Sequence, residues 1–140
     1  MHDRELTDII DIRGLHPHSE AMRIISSTDI RILLLYETPY SSSIVPQKLY
    51  NYLIMKGPIL AVAPEVGMTA SIIAETRMGI VVSPRRGSDA IYQELKRYYL
   101  AWRRGDLNVN PNQYAIDQYS YCENTQRLAK LIHGLAKCDS

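Results

Sequence analysis

The order of elements between residues 30 and 63 constrains the fold of this chain more than any other feature. The apolar run from Ile30 to Leu35 predicts a short strand buried on both faces, as in a parallel sheet. A polar loop follows, with three consecutive serines from Ser41 to Ser43, and a helix starts near Pro46. A second apolar run, Ile59 to Val62, predicts the next buried strand. Strand, helix and strand in this order are typical of an α/β domain.

The helix that starts near Pro46 is predicted to hold an anion. Its first turn presents unpaired backbone N–H groups and the partial positive charge of the helix end, with the Lys48 ammonium beside them. The sequence Lys56-Gly57-Pro58 is predicted to end the helix with a cation, a flexible residue and a helix breaker. The helix N-terminus therefore lies beside the carboxyl end of a strand, where phosphates often bind.

The other elements continue the alternation of strands and helices. The sequence predicts a strand at 9–13, helices at about 19–27 and 69–76, a loop at 64–67, a strand at 79–82, a helix at 89–104 with Ser88 as its N-cap, a loop at 105–112, and a helical segment at 114–136 with a break near Ser120. The predicted fold is a single Rossmann-like, three-layer domain over residues 1–140, with a short, mostly parallel sheet of about four strands. Residues 111–140 are its closing helices.

One side of the predicted 89–104 helix carries an apolar and aromatic stripe. It consists of Ile91, Leu95, Tyr98, Tyr99 and Trp102. Aromatic residues at helical spacing usually pack against a sheet, so we expect this stripe to belong to the core rather than to a binding surface.

Composition and charge limit the possible partners. The chain has 140 residues and a net charge of +1, so one domain is expected and no overall field attracts nucleic acid or an anionic membrane. Cys122 and Cys138 do not have the spacing of metal ligands. The sequence has no recognisable signal peptide, and its apolar runs are too short to span a bilayer. We therefore expect a cytoplasmic protein.

Several groups of residues resemble the donor-binding half of the family 4 retaining glycosyltransferases, which have the two-domain GT-B fold. The main match is Val45-Pro46-x-Lys48-Leu49-Tyr50-x-Tyr52-Leu53 followed by Gly57-Pro58-Ile59-Leu60. Further similar segments are Ile12-Arg13-Gly14, His18 to Ala21, Thr28 to Ile30, Gly79 to Pro84, Ala101 to Gly105, Tyr119-Ser120 and Leu128 to Leu131. The resemblance covers nearly the whole chain and depends on the order and spacing of these segments.

The resemblance implies a donor site for a nucleoside-diphosphate sugar. It places Gly14 and Leu15 beside the nucleotide base and Asn51 beside the ribose. The backbone N–H groups of Ser42, Ser43, Ile44 and Val45, together with the Lys48 ammonium, would face the diphosphate. The implied reaction transfers the sugar to an acceptor with retention of configuration and requires neither a metal nor another cofactor.

The chain also departs from the pattern of this family. The family usually carries two glutamates separated by seven residues, and these places fall on Ser43 and Asn51. Asn51 can donate and accept hydrogen bonds but carries no charge. Relative to the family, the acceptor domain and the first two strands of the donor domain are missing. In a sheet of order 3-2-1-4-5-6, the strands present would be the third to the sixth.

The missing strands leave the predicted 9–13 strand without its neighbours. Its open edge must pair with the 30–35 strand, with another chain, or not at all, and we expect an oligomer or a rearranged sheet. Two functional hypotheses follow. The first is a donor-binding domain, either a subunit that works with a separate acceptor-domain chain or a fragment of a split enzyme. The second is a catalytically inactive remnant that serves as an oligomeric interaction or regulatory module.

Other polar residues have simpler interpretations, and the sequence assigns them no role. They are the pair His16 and His18, which belong to a turn and lack further ligands, the solvated pair Arg85 and Arg86, and the loop residues Glu37 and Glu65, for which no acid or base partner is identifiable. The catalytic residues remain unknown.

Overall fold

A three-stranded parallel sheet organises the fold in the computed structural model, which describes residues 9–55 and 57–136. In chain order the elements are α1 (His18–Ser26), β1 (Arg31–Leu34), α2 (Gln47–Ile54), β2 (Ile59–Val62), α3 (Met68–Thr76), β3 (Gly79–Val82), α4 (Gly87–Arg103), α5 (Gln113–Asp117) and α6 (Tyr121–Ala136). Short 3₁₀ turns lie at Ser41–Ser43 and Pro84–Arg86. The predicted α/β class, with a parallel sheet flanked by helices, is confirmed.

The strands follow one another across the sheet in the order β1-β2-β3. Leu34 lies opposite Val62, and Val62 lies opposite Val82, so all three strands end at the same level. The loops that follow the strands therefore meet at one edge, which we call the carboxyl edge.

Helices pack on both faces of the sheet. The larger core lies between the sheet and helices α2, α3 and α5. Its fully buried side chains include Leu33, Leu49, Leu53, Ile59, Ile72, Ile73 and Met78. The smaller core lies on the other face, where Tyr98 of α4 packs with Leu60 and Val82. Both crossover helices, α2 and α3, cover the same face, as expected for successive connections of the same hand.

Two predicted helix starts shift by a residue or two. Pro46 has extended backbone angles (φ −64°, ψ 134°) and is the N-cap, so α2 begins at Gln47 rather than at the proline. Ser88 lies inside the first turn of α4 and is not its N-cap. The reason is that the 3₁₀ turn before it runs directly into the helix; the N-cap of that turn is Ser83, whose Oγ accepts a hydrogen bond from the Arg85 N–H at 3.1 Å.

The strand predicted at residues 9–13 is wrong. This segment has no strand pairing, and the side chains of Ile9 and Ile12 are 81% and 88% exposed. An apolar run gains strand structure only when a neighbour satisfies its backbone N–H and C=O groups, and the described part of the chain places no strand beside this segment. The described sheet consequently has three strands instead of about four.

The prediction that the 30–35 strand is buried on both faces is also wrong. Leu33 is buried on the α2 side, but Ile32 and Leu34 are 45% and 73% exposed on the other side, because α4 packs mainly over β2 and β3. The outer edge of β1 has no strand partner within the described part of the chain. The sheet is therefore not rearranged to cover that edge, and oligomerisation stays a prediction.

Arg31 is an unusual feature of the core because it is a nearly buried cation. Its residue is 4% exposed and it packs against Gly57. Nη2 donates to the Met55 carbonyl at 3.3 Å, whereas Nε and Nη1 have no hydrogen-bond partner among the described residues. Burial lowers the pKa of this guanidinium from its ordinary value, and the nearby Tyr52 opposes the shift.

The aromatic stripe of α4 is only partly in the core. Tyr98 is buried and donates its hydroxyl hydrogen to the Ile59 carbonyl at 3.3 Å, but Tyr99 and Trp102 remain nearly half exposed. The predicted break near Ser120 is confirmed, since α5 ends at Asp117 and α6 begins at Tyr121.

Some predictions fall outside the described residues. They concern the helix-ending cation Lys56 and Cys138. In the described ranges, no helix combines the length and the apolar character needed to cross a membrane.

Candidate functional site

The carboxyl edge of the sheet is the candidate site. In open parallel sheets, ligands bind outside the carboxyl ends of the strands, where loops and helix N-termini converge. Here the loop after β1 leads to the serine turn and α2, the loop after β2 leads to α3, and the residues after β3 form the 3₁₀ turn before α4.

The turn Ser41–Ser43 is held by its own hydrogen bonds. The buried Ser41 side chain accepts a hydrogen bond from the Thr38 N–H at 2.9 Å and donates one to the Thr38 carbonyl at 2.6 Å. The backbone N–H groups of Ser43 and Ile44 donate to the Tyr40 and Ser41 carbonyls at 3.0 and 3.2 Å. Two of the N–H groups predicted to face a diphosphate are therefore already used inside the turn.

Contacts with α3 fix this turn in space. Thr69 is buried at the start of α3, and its Oγ1 donates to the Ile44 carbonyl at 2.8 Å. Gly67, immediately before α3, has a φ of 138°, and a Cβ there would lie 2.5 Å from the Ser42 carbonyl oxygen. Only a glycine combines this backbone angle with so close an approach, so the loop after β2 supports the turn after β1.

Two adjoining depressions form a cleft along the carboxyl edge. Their volumes are about 580 and 320 Å³, and both are lined by Glu37 and Arg85. The larger one runs over the ends of β1 and β2 beside Pro84, whereas the smaller one reaches Ser42 and Glu65. The cleft has the size of a small-ligand site, although it is open to solvent.

One ion pair lies within this cleft and a second lies at its margin. The Arg85 Nε lies 2.7 Å from Glu37 Oε1, and the Arg86 guanidinium lies 3.3 Å from Glu65 Oε1. The same Glu65 oxygen accepts a hydrogen bond from the Ser83 N–H at 3.4 Å. The Arg85 side chain is 80% exposed, whereas the Glu37 side chain is only 21% exposed, so the carboxylate is fixed and the guanidinium reaches over it.

The sequence did not assign a role to these four charged residues. Each of them follows a strand closely, and this position is the signal that was available. Their pairing was not visible, because it joins the loops after β1 and β2 to the turn after β3.

The predicted site residues are distributed over several places. Ser42 lines the cleft, and Ser43 and Ile44 complete the exposed turn beside it, whereas Val45 packs against the core. Lys48 is exposed in the first turn of α2, and Asn51 is partly buried one turn further on. Neither of these two residues lines the cleft.

The segment predicted to approach the base lies elsewhere. Gly14 has a φ of 67° and lines a separate depression of about 450 Å³ together with His16. Leu15 is fully exposed. The Nδ1 atom of His16 pairs with Glu20 at 3.2 Å, and no group of three or more potential metal ligands occurs within the described ranges.

Another depression, of about 550 Å³, lies between α2 and the closing helices. It is lined by Tyr50, Tyr119 and Tyr121, among others, with the first two rings 6.2 Å apart. The Tyr119 hydroxyl donates to the Glu75 carboxylate at 2.8 Å. Burial, followed by this hydrogen bond to a carboxylate, raises the pKa of Tyr119 to about 12.

Comparison of the chain with family models, with curated proteins and with solved structures gives no match. The site must accordingly be interpreted from its own geometry. That geometry combines a cleft at the carboxyl edge, a rigid serine turn, and two arginine–glutamate pairs that bridge neighbouring loops.

Proposed function

We propose that this chain is a nucleotide-sugar-binding domain of the GT-B type. Together with an acceptor domain or a separate acceptor-domain chain, it transfers the sugar with retention of configuration. The observation that carries this proposal is the cleft along the carboxyl edge of the parallel sheet, bounded by the serine turn that leads into α2.

The chemistry of the cleft suits such a donor. Negative charge develops on the leaving diphosphate, and positively charged groups placed beside it stabilise the transition state. The Arg85 side chain lines the cleft, while the exposed side chain of Lys48 lies outside it in the first turn of α2. Carboxylates such as Glu37 are good acceptors for sugar hydroxyls.

Calorimetric titration of the full chain with uridine and guanosine diphosphates tests this function. Uridine and guanosine serve as ligands without phosphates. We expect saturable binding of at least one diphosphate, tighter than the binding of the corresponding nucleoside. Heats that show no binding of either diphosphate at millimolar concentration would refute the proposed function.

A second candidate function, from another class, is a catalytically inactive interaction or regulatory module that forms oligomers. The exposure of Ile32 and Leu34 on an edge strand favours it, since such edges readily pair with other chains. Analytical ultracentrifugation of the chain and of Leu34→Lys tests this candidate. An oligomer that dissociates in the variant, without nucleotide binding in either protein, would select the interaction module. A monomer at all concentrations would exclude it.

A further inference from the structure

The two arginines of the 3₁₀ turn before α4 have no evident structural purpose. Arg86 is the N-cap of α4 and Arg85 precedes it, so both cations lie where the helix dipole is already positive. This placement weakens a helix slightly instead of stabilising it. Both side chains are also largely solvent-exposed, at 80% and 60%, and their removal takes no apolar surface out of the core.

The ion pairs that these arginines form contribute little to stability, and another anion can replace the glutamates. An exposed arginine–glutamate pair contributes little to stability, because water screens it and the long side chains lose freedom. Each arginine also has more N–H donors than one carboxylate oxygen can use. A phosphate group offers two oxygens that accept the same two-pronged hydrogen bonds from a guanidinium as a carboxylate, and it carries more charge, so it competes for the same guanidinium face.

The cleft needs such donors if it holds a diphosphate. The backbone N–H groups of Ser43 and Ile44 are committed to the serine turn. Lys48 does not line the cleft, whereas Arg85 lines both of its parts and Arg86 reaches Glu65 on the wall of the smaller one. These two side chains are therefore the cations best placed to meet an anion in the cleft.

We propose that Arg85 and Arg86 are the phosphate-binding residues of the cleft, and that Glu37 and Glu65 hold them in place until a diphosphate displaces the carboxylates. This inference rests on the proposed function and names the part of the site that grips the ligand. Once released, Glu37 and Glu65 are free to accept hydrogen bonds from the hydroxyls of the sugar. The ion pairs thus hold the arginine side chains in position before the ligand binds. The cleft accordingly has a phosphate side, formed by the arginines, and a sugar side, formed by the glutamates.

Inorganic pyrophosphate is the probe that isolates the phosphate side. In calorimetric titrations of the full chain, Arg85→Gln is expected to weaken pyrophosphate binding roughly tenfold or more, because it loses a charge-assisted, two-pronged contact. The matched control is Arg97→Gln on α4, which breaks an exposed pair with Glu94 of the same 2.7 Å length outside the cleft. The control is expected to bind like the unmodified chain.

The reverse substitution separates ligand binding from a merely structural role. Glu37→Gln removes the competing carboxylate and is expected to tighten pyrophosphate binding several-fold, while Glu94→Gln leaves it unchanged. A structural ion pair gives the opposite result, since its loss disorders the cleft and weakens binding. Unchanged or weaker binding by Glu37→Gln would overturn the displacement mechanism.

The outcomes for this inference and for the proposed function are distinguishable. Binding of a nucleoside diphosphate that is unaffected by Arg85→Gln and Arg86→Gln overturns the inference and leaves the proposed function standing. Pyrophosphate binding that depends on the arginines supports the inference. If a nucleoside diphosphate then binds no more tightly than pyrophosphate, the nucleotide-sugar function is overturned. An unmodified chain that binds neither pyrophosphate nor a nucleoside diphosphate overturns both.

Discussion

Gly79 of β3 lies so close to the backbone of β2 that we expect its substitution by alanine to destabilise the fold strongly. This residue opens β3 opposite Ile59, and a Cβ placed on it would lie 1.9 Å from the Ile59 carbonyl oxygen. A carbon and an oxygen meet without strain at about 3.3 Å, so Gly79→Ala requires the strands to separate locally by roughly 1.4 Å. No side-chain rotation relieves this contact, because the obstructing atom belongs to the backbone.

The loss in the free energy of unfolding follows from the contacts that this separation of the strands breaks. The hydrogen bond from the Ile59 N–H to the Met78 carbonyl, at 2.8 Å, lies at the same place. Leaving such buried groups unpaired costs about 1–3 kcal/mol, and forcing a well-packed core apart costs a further 1–3 kcal/mol. We expect Gly79→Ala to lower the free energy of unfolding by about 4 kcal/mol, a large part of the 5–15 kcal/mol available to a typical domain.

Urea unfolding followed by far-ultraviolet circular dichroism measures this effect, with Gly134→Ala as the matched control. Gly134 lies in α6 and a Cβ there meets no atom within 4 Å, so the same substitution is expected to stabilise that helix by up to about 1 kcal/mol. A loss of less than about 1 kcal/mol for Gly79→Ala would refute the argument from close approach.

Three further predictions concern single side chains. Arg31→Met removes a buried cation of which two nitrogens have no hydrogen-bond partner among residues 9–55 and 57–136, and it is expected to stabilise the chain by about 1 kcal/mol in urea unfolding, whereas a destabilised variant would indicate a partner for the guanidinium. Thr69→Val deletes the hydrogen bond to the Ile44 carbonyl and is expected to cost about 1–2 kcal/mol; an unchanged unfolding midpoint would show that the serine turn does not depend on it. The Tyr119 pKa of about 12 lies above the value of about 10 for an unfolded tyrosine, so its stabilisation is complete below pH 10 and is lost as the pH rises to 12. Tyr119→Phe is expected to flatten the fall in unfolding free energy between pH 10 and 12, and equal slopes for the two proteins would contradict this assignment.

Local sequence signals determined most of the secondary structure. Strands β2 and β3 occupy the predicted residues, and the predicted helices at 19–27 and 69–76 differ from α1 and α3 by only one residue. The break between α5 and α6 lies where the polar residues around Ser120 placed it. These features depend on apolar runs, periodicity and helix-breaking residues, all of which act over a few positions of the chain.

Features that need a distant neighbour could not be predicted in the same way. Residues 9–13 have the apolar composition of a strand, but no strand of the described residues lies beside them to satisfy their backbone groups, and the segment stays irregular. Ile32 and Leu34 are as apolar as the buried β2 residues, yet α4 packs mainly over β2 and β3 and they remain exposed. Apolar composition indicates which side chains gain free energy from burial, whereas the packing of other elements decides whether they are buried.

The candidate site shows the same division. From the sequence alone came the parallel sheet, the serine-rich loop and the helix after it, and hence the carboxyl edge as the place for a ligand. Only the tertiary structure decided which charged groups meet there. Glu37 pairs with Arg85, and Glu65 with Arg86, because the parallel register brings the ends of three strands to one level, and no local pattern encodes that meeting.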